Sequence, residues 1–264
     1  MVLPDRPLTD AEMQQIAAEF KHSETAFVTR SPDGSVILRY FTPAGEVELC
    51  GHATIASFAL LRALGRIGDG DITAHTKAAD LTIGVRGDTV WMDMAPPHWI
   101  RELTEPELPE LYEAYGLTPA DRPDSLLPAI VSTGFADIMM PVRDRDTLLR
   151  AVQNEPAVTA LSRRYDVTGV HMFCLGDGCT AYCSNYAPLY DIPEECATGT
   201  SNGALTYYLY RHGMVQPEQE NVFLQGEHMH RPSEIRSRLY ADGDTVTVRV
   251  GGRAVMSMSC DIKL

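Results

Sequence analysis

Apolar residues recur at helical spacing at Met13, Ile16 and Ala17, directly after Thr9-Asp10-Ala11-Glu12. That tetrapeptide has the spacing of a capping box, in which Thr9 bonds the amide of Glu12 while the Glu12 side chain reaches back. The pattern predicts a helix over about residues 10–20. The period then changes. Thr25 to Thr29 (TAFVT) and Val36 to Tyr40 (VILRY) are strand-like and flank Ser31-Pro32-Asp33-Gly34, a turn-forming group, so together they predict a hairpin. From His52 the run ATIASFALLRAL is too densely apolar for a surface helix, and Gly65 falls where a C-terminal cap belongs. A buried central helix is expected there.

The same order returns about 145 residues later. Val170 to Leu175 and Cys179 to Asn185 flank Gly176-Asp177-Gly178, matching the first hairpin and its turn. Phe41-Thr42-Pro43 is answered by Tyr186-Ala187-Pro188, and Cys50-Gly51-His52-Ala53-Thr54 by Cys196-Ala197-Thr198-Gly199-Thr200. A second apolar helix, about 201–210, again ends near a glycine, Gly213. Two homologous lobes explain this economically. The proline- and acid-rich stretch 116–128 separates them, giving lobes over residues 1–120 and 125–264. The second copy has strand-like residues, 129–142, ahead of a helix at about 144–153, whereas the first begins almost directly at its helix. Lobe one therefore reads as lacking opening strands.

Charge and composition narrow the function classes. With 36 acidic against 22 basic side chains the net charge is -14, which repels phosphate backbones and anionic lipid, so neither nucleic acid nor membrane is an expected partner. The longest apolar stretch, Ala56 to Leu64, is interrupted by Arg62 and is too short to span a bilayer. MVLPDRPLTD lacks the basic and apolar regions of an export signal, so a cytoplasmic location is expected. The cysteines, at 50, 174, 179, 183, 196 and 260, are too sparse for a disulfide framework. The spacing of Cys174, Cys179 and Cys183 is a weak metal signal, and no metal is expected.

In each copy a strand passes through an aromatic-x-proline turn to a thiol and the first turn of an apolar helix. Unpaired amides at such a helix start hold carboxylates, and two of them facing each other across a lobe interface would make a carboxylate-binding cleft. A thiol there has its pKa lowered, so Cys50 and Cys196 are candidate proton acceptors. Glu46 and Glu48 precede the first thiol, and Glu194 and Glu195 the second, so acids are equally candidates. His52 reads as a proton shuttle or as a helix-capping side chain.

FTPAGEVELCGHATIASFALL at 41–61 resembles the signature of the phenazine-biosynthesis PhzF-like isomerase family. LTDAEMQQIAAEFKHSETAFV at 8–28 looks like the segment preceding that signature, and NYAPLYDIPEECATGTSNGAL at 185–205 is similar to the second-lobe motif. The resemblance implies an α+β, diaminopimelate epimerase-like fold of two pseudo-symmetric lobes, each a mixed sheet or barrel wrapped round a central helix, in a homodimer. It implies cofactor-independent proton transfer on a small carboxylate or amino-acid-like substrate, with no cofactor or metal. By the same resemblance the proton shuttle lands on Glu46 and the second acidic position on Glu195. Gly51, His52, Ala53 and Thr54 in one motif, with Gly199, Thr200 and Ser201 in the other, fall at substrate-binding positions. Related epimerases and racemases use one cysteine from each lobe, which Cys50 and Cys196 resemble in position. A two-thiol amino-acid racemase and a non-catalytic small-molecule-binding protein are thus the alternatives. Relative to the family, the chain begins after an opening strand and a glycine-asparagine motif.

Overall fold

A computed structural model describes residues 1–263. The helix α1 (Asp10–Phe20) starts on the capping box: the Glu12 amide donates to Thr9 Oγ1 at 3.3 Å, and the Thr9 amide donates to the Glu12 carboxylate at 2.8 Å. Its inward residues Met13, Ile16 and Ala17 pack on Phe27 and Phe41. Those phenylalanines belong to the expected hairpin, β1 (Thr25–Arg30) and β2 (Val36–Phe41), paired antiparallel with Thr25 opposite Phe41. A short strand β3 (Glu46–Val47) follows, then α2 (Gly51–Ala63), β4 (Gly70–His75), β5 (Asp80–Arg86) and β6 (Thr89–Asp93). The sheet order is β1-β2-β4-β5-β6. The helix α2 packs on β1 and β6, the two ends of that order, so this sheet curls round it.

The chain forms two compact units, Met1–Asp93 together with the chain from Gly251 onward, and Met94–Val250. The second unit holds β7 (His98–Glu102), α3 (Leu108–Glu113), β8 (Ala129–Ser132), β9 (Ala136–Pro141), α4 (Arg145–Arg150) and α5 (Glu155–Tyr165). After these come β10 (Gly169–Leu175), β11 (Ala181–Ala187), β12 (Ile192–Glu195), α6 (Gly199–Arg211), β13 (Glu220–Gln225), β14 (Ser233–Asp242) and β15 (Thr245–Gly252). Most of β15 lies in this unit, whose strands run β15-β14-β13-β11-β10-β9-β8-β7. The expected boundary at 120–125 moves to Asp93. The reason is packing: β7 pairs with β8, and Leu103, Leu108, Leu111 and Tyr112 are buried with Ile138, Met140, Val170 and Met172 in one core. Residues 94–120 therefore have their apolar contacts in the second unit.

The internal repeat is visible in the topology. In β1-β2-β3-α2-β4 and in β10-β11-β12-α6-β13, an antiparallel hairpin carries a short antiparallel strand on its second member. The chain then crosses over through a helix to a strand parallel to that member. Both helices end alike. Gly65 and Gly213 take φ of +66° and +69°, and the next amides, Arg66 and Met214, each reach back at 2.9 Å to the carbonyls of Leu61 and Leu209. This left-handed closure satisfies carbonyls the helix would otherwise leave open, and glycine adopts it without a Cβ clash.

The copies differ in enclosure. In α6 every residue from Ser201 to Thr206 is buried, because β8 and β9 pack on it as well as β14. In α2 the burial is one-sided: Ala53, Thr54, Ser57, Phe58 and Leu61 are buried, whereas Ile55, Ala56, Ala59 and Leu60 are partly open. The first unit has, among the described residues, no counterpart of β8 and β9. A buried central helix was expected from His52, and its burial is one-sided; the second apolar helix is the more enclosed of the two. No helix among the described residues is long and apolar enough to cross a membrane.

Candidate active site residues

At the start of α2, Cys50 is the N-cap, in extended conformation (φ -143°, ψ 107°) and buried. Its carbonyl accepts both the Thr54 amide at 2.9 Å and Thr54 Oγ1 at 2.7 Å, and Thr54 Oγ1 also meets the Tyr40 hydroxyl at 2.6 Å. Thr54 and Ala53 are thereby internal, and Thr54 works by fixing the first turn to β2. Gly51 and His52 remain accessible. The amides of residues 51, 52 and 53 have no acceptor within the helix and carry its positive end, an anion-binding arrangement.

Three reactive side chains converge here. Cys50 Sγ lies 3.6 Å from each ring nitrogen of His52, and Glu24 Oε2 lies 3.2 Å from His52 Nε2. Glu24 sits between α1 and β1, in the tripeptide Ser23-Glu24-Thr25. The hydrogen bond with the Cys50 thiol, and then that with Glu24, push His52 up to about 11 against the opposing effect of burial. Glu24 is held below the usual carboxylate range, chiefly by His52, with burial working against the shift and Ser23 and Cys50 adding to it. The cluster is an imidazolium facing a carboxylate and a thiol at a helix start.

Glu46, expected to shuttle the proton, is placed differently. It lies on β3, and its carboxylate accepts Arg39 Nε at 2.7 Å and lies 3.4 Å from Lys77 Nζ. Arg39 bonds Asp10 at 2.6 Å as well, and its guanidinium lies over the Phe41 ring at 5.1 Å. The Arg39 hydrogen bond lowers the Glu46 pKa. Arg39 and Lys77 hold the Glu46 carboxylate, and the Arg39 bond ties β3 to β2. Glu48 is exposed.

The second motif folds round Gln225. Its Nε2 donates to the Glu195 carbonyl at 2.6 Å and to Thr198 Oγ1 at 3.0 Å, while its Oε1 accepts Asn202 Nδ2 at 2.7 Å and the Thr198 amide at 3.3 Å. Thr198 is the N-cap of α6, and its hydroxyl lies 3.2 Å from Asn185 Oδ1 and 3.3 Å from Glu195 Oε2. Helix starts therefore align at Gly51 and Gly199, so the structural partner of Cys50 is Thr198. Cys196, expected at a matched helix start, lies two residues ahead of that cap. The loops 48–50 and 196–198 each have three residues, with Cys50 the last of its loop and Cys196 the first of the other.

Gly199 and Thr200 open α6 and are partly accessible, with the Thr200 carbonyl accepting Thr133 Oγ1 at 2.8 Å. Ser201 is buried. Its Oγ donates to Asp137 Oδ2 at 2.6 Å and accepts Asn185 Nδ2 at 3.1 Å, and Asn185 Nδ2 also lies 3.2 Å from His171 Nδ1. Burial raises Asp137 to about 6 and lowers His171 to about 4. Ser201 thus anchors the first turn of α6 from beneath.

Sequence reading missed Glu24, Asn185, Gln225, Asp137 and His171. The available signal was polarity inside strand-like runs: Asn185 and His171 interrupt the second hairpin, and Gln225 ends the apolar run Val222-Phe223-Leu224. For Glu24 it was a lone acid immediately before a buried strand.

A sequence model of the family described as "Phenazine biosynthesis-like protein" matches residues 1–260. An "uncharacterized isomerase" of Deinococcus radiodurans is 33% identical, the alignment covering 97% of this chain and 86% of that protein. The trans-2,3-dihydro-3-hydroxyanthranilate isomerase of Pseudomonas chlororaphis is 29% identical over 94% of this chain and 87% of its own. Among solved structures, a PhzF-family protein of Bacillus anthracis superposes with a TM-score of 0.84 at 26% identity, covering 93% of this chain and 86% of the other. A probable proline racemase of Agrobacterium radiobacter superposes at 0.58 with 13% identity, over 92% and 78% of the two chains, a likeness of fold alone.

Proposed function

Because this chain belongs to the phenazine biosynthesis-like family, whose relatives include named isomerases, we propose that it isomerises a small carboxylate by moving a proton, with Glu24 as the proton-carrying group. The observation that carries this reading is the 3.2 Å contact of Glu24 with His52 at the accessible start of α2. An ionised Glu24 accepts a proton from a carbon acidified by adjacent unsaturation, and the resulting acid returns it to another carbon of the same substrate. No net proton or electron is gained. The imidazolium of His52 stabilises the charge that develops on the substrate, and the amides at the positive start of α2 hold its carboxylate. Cyclic dihydro-hydroxy amino acids, the class acted on by the Pseudomonas relative, are the first substrates to test.

The two-thiol racemase is less well supported, since only Cys50 is a helix N-cap. Solvent deuterium incorporation separates the readings. Glu24→Gln is expected to lower exchange by about a hundredfold or more, the usual range for removing a general base, while Glu46→Gln and Cys196→Ser exchange at near the parental rate. Parental exchange by Glu24→Gln would remove this proposal, and loss in Cys196→Ser with retention in Glu24→Gln would favour the racemase.

A further inference from the structure

The cluster at the start of α2 has a second chemical capacity. Glu24, Cys50 and His52 each offer one donor atom, and the three atoms lie within 4.8 Å of one another. In a tetrahedral zinc site, bonds of about 2.3 Å to sulfur and about 2.0 Å to nitrogen and oxygen set donor-to-donor edges near ~3.5 Å for S to N and ~3.3 Å for N to O. The observed separations from His52 Nε2 are 3.6 Å to Cys50 Sγ and 3.2 Å to Glu24 Oε2; since Sγ is also 3.6 Å from Nδ1, the half-exposed imidazole turns about its Cβ–Cγ bond to aim Nε2 at an ion shared with the sulfur. We propose that Glu24, Cys50 and His52 form one face of a binding site for a borderline-soft divalent cation of the zinc class.

Cys50 and Glu24 are held in place before any ion arrives. Cys50 is buried and its carbonyl is locked by Thr54, while its thiol makes no capping bond. Glu24 directly precedes Thr25, which begins β1 in register with Phe41. Glu24 Oε2 is buried and lies 3.2 Å from His52 Nε2. Binding releases the His52 ring proton and the Cys50 thiol proton to solvent, and the thiolate and carboxylate that remain balance the two charges of the ion. The positive end of α2 works against a cation, which the two anionic donors must outweigh. The mixed S, N, O set excludes magnesium and calcium, which take oxygen ligands. The side chain of His52 is 46% exposed, which leaves the fourth position open to water or to an exogenous ligand.

The test uses the full chain, stripped with a chelator and titrated with zinc against a chromophoric competitor. One ion per chain is expected, and cobalt(II) in its place should give a thiolate charge-transfer band. Cys50→Ala and Glu24→Gln should each weaken zinc binding about tenfold or more, with His52→Gln, a change at a half-exposed side chain, doing the same without disturbing the fold by circular dichroism. Absence of stoichiometric binding, or binding and a cobalt band unchanged in Cys50→Ala, would overturn the site and assign any ion to the other thiols. The site shares its groups with the proton-transfer reading but does not depend on it. Zinc that binds through these residues and inhibits exchange supports both, whereas zinc that binds through them without inhibiting leaves the site standing and removes Glu24 from the reaction.

Discussion

Ser201 Oγ donates a 2.6 Å hydrogen bond to Asp137 Oδ2, and both side chains are buried beneath the first turn of α6. The bond offsets only part of the desolvation of the carboxylate, because burial still raises Asp137 to about 6. A carboxyl raised above its unfolded value of about 3.9 stabilises the fold fully below that value, and the contribution is lost as pH rises through about 6. The shift corresponds to roughly 3 kcal/mol at most. Glu107 in the same unit, held to about 2 first by its hydrogen bond from Arg101, works in the opposite sense, its stabilisation fading only below about pH 4. His171 in the same unit, lowered to about 4 by burial, titrates across the same window in the opposite sense, its contribution being lost as pH falls below about 6.5, so the two groups oppose each other there. Urea unfolding followed by Trp99 fluorescence in a Trp91→Phe background reads the balance in the second unit. Asp137→Asn should make stability rise more steeply with pH between about 4.5 and 6.5, and an unchanged slope in that variant would contradict the assignment.

Arg39 joins Asp10 of α1 to Glu46 of β3. Removing one partner of a partly exposed pair has a small effect, so Glu46→Gln is expected to lower stability by about 1 kcal/mol or less, more at low salt than at high. Arg39→Leu releases both acids together and should cost more than Glu46→Gln. A thermal melt of each variant at two salt concentrations reads this. A Glu46→Gln protein that kept its stability but lost proton exchange would return the catalytic role to Glu46.

Much of this architecture was legible in the sequence, for identifiable reasons. Local patterns carried α1, whose cap lies within four residues, and the first hairpin, whose turn is compact. The repeat carried the second hairpin and α6, including the glycine closures at Gly65 and Gly213. What failed needed non-local contacts. The unit boundary was placed by composition, but β7 and α3 follow their buried partners instead. Cys196 was matched to Cys50 by residue type, although helix starts align Gly51 with Gly199. Glu46 was assigned through the FTPxxE position of the family resemblance, a local motif that does not reveal the pairing of its carboxylate with Arg39 across β2 and β3. Glu24 lies 26 residues before Cys50 and reaches it only when β1 is packed beside α2, so spacing along the chain gives no hint of their proximity.

His52 should remain charged throughout the neutral range, because Cys50 first and Glu24 second hold it to about 11. A base raised above its unfolded value of about 6.5 contributes stability fully below that value, and the contribution disappears as pH rises through the folded one. In the metal-free protein its imidazole proton resonances should therefore stay at the protonated position between about pH 6 and 9. Glu24→Gln or Cys50→Ser should bring the titration down into this window. Parental His52 titrating near pH 6.5 would show that the carboxylate and thiol do not hold its proton.

Gly169 opens β10 where no side chain fits. A Cβ there would lie 1.8 Å from the Tyr186 carbonyl oxygen and 3.0 Å from Ala187 Cα, both backbone atoms of the paired strand β11. The Gly169 amide also hydrogen-bonds Asp137, so moving β10 aside to admit a methyl group would strip a donor from a buried carboxyl. Gly169→Ala should therefore destabilise the second unit by about 3 kcal/mol or more, as overpacking against an unyielding backbone does. Gly51→Ala is the contrasting case. Its Cβ would meet only the terminal methyl of Met92, at 3.3 Å, which can swing aside, and alanine is the better helix former. That variant should stay within about 1 kcal/mol of the parent. Circular dichroism melts of the two proteins decide the matter, and a Gly169→Ala protein melting with the parent would mean that β10 and β11 do not approach as closely as their register requires.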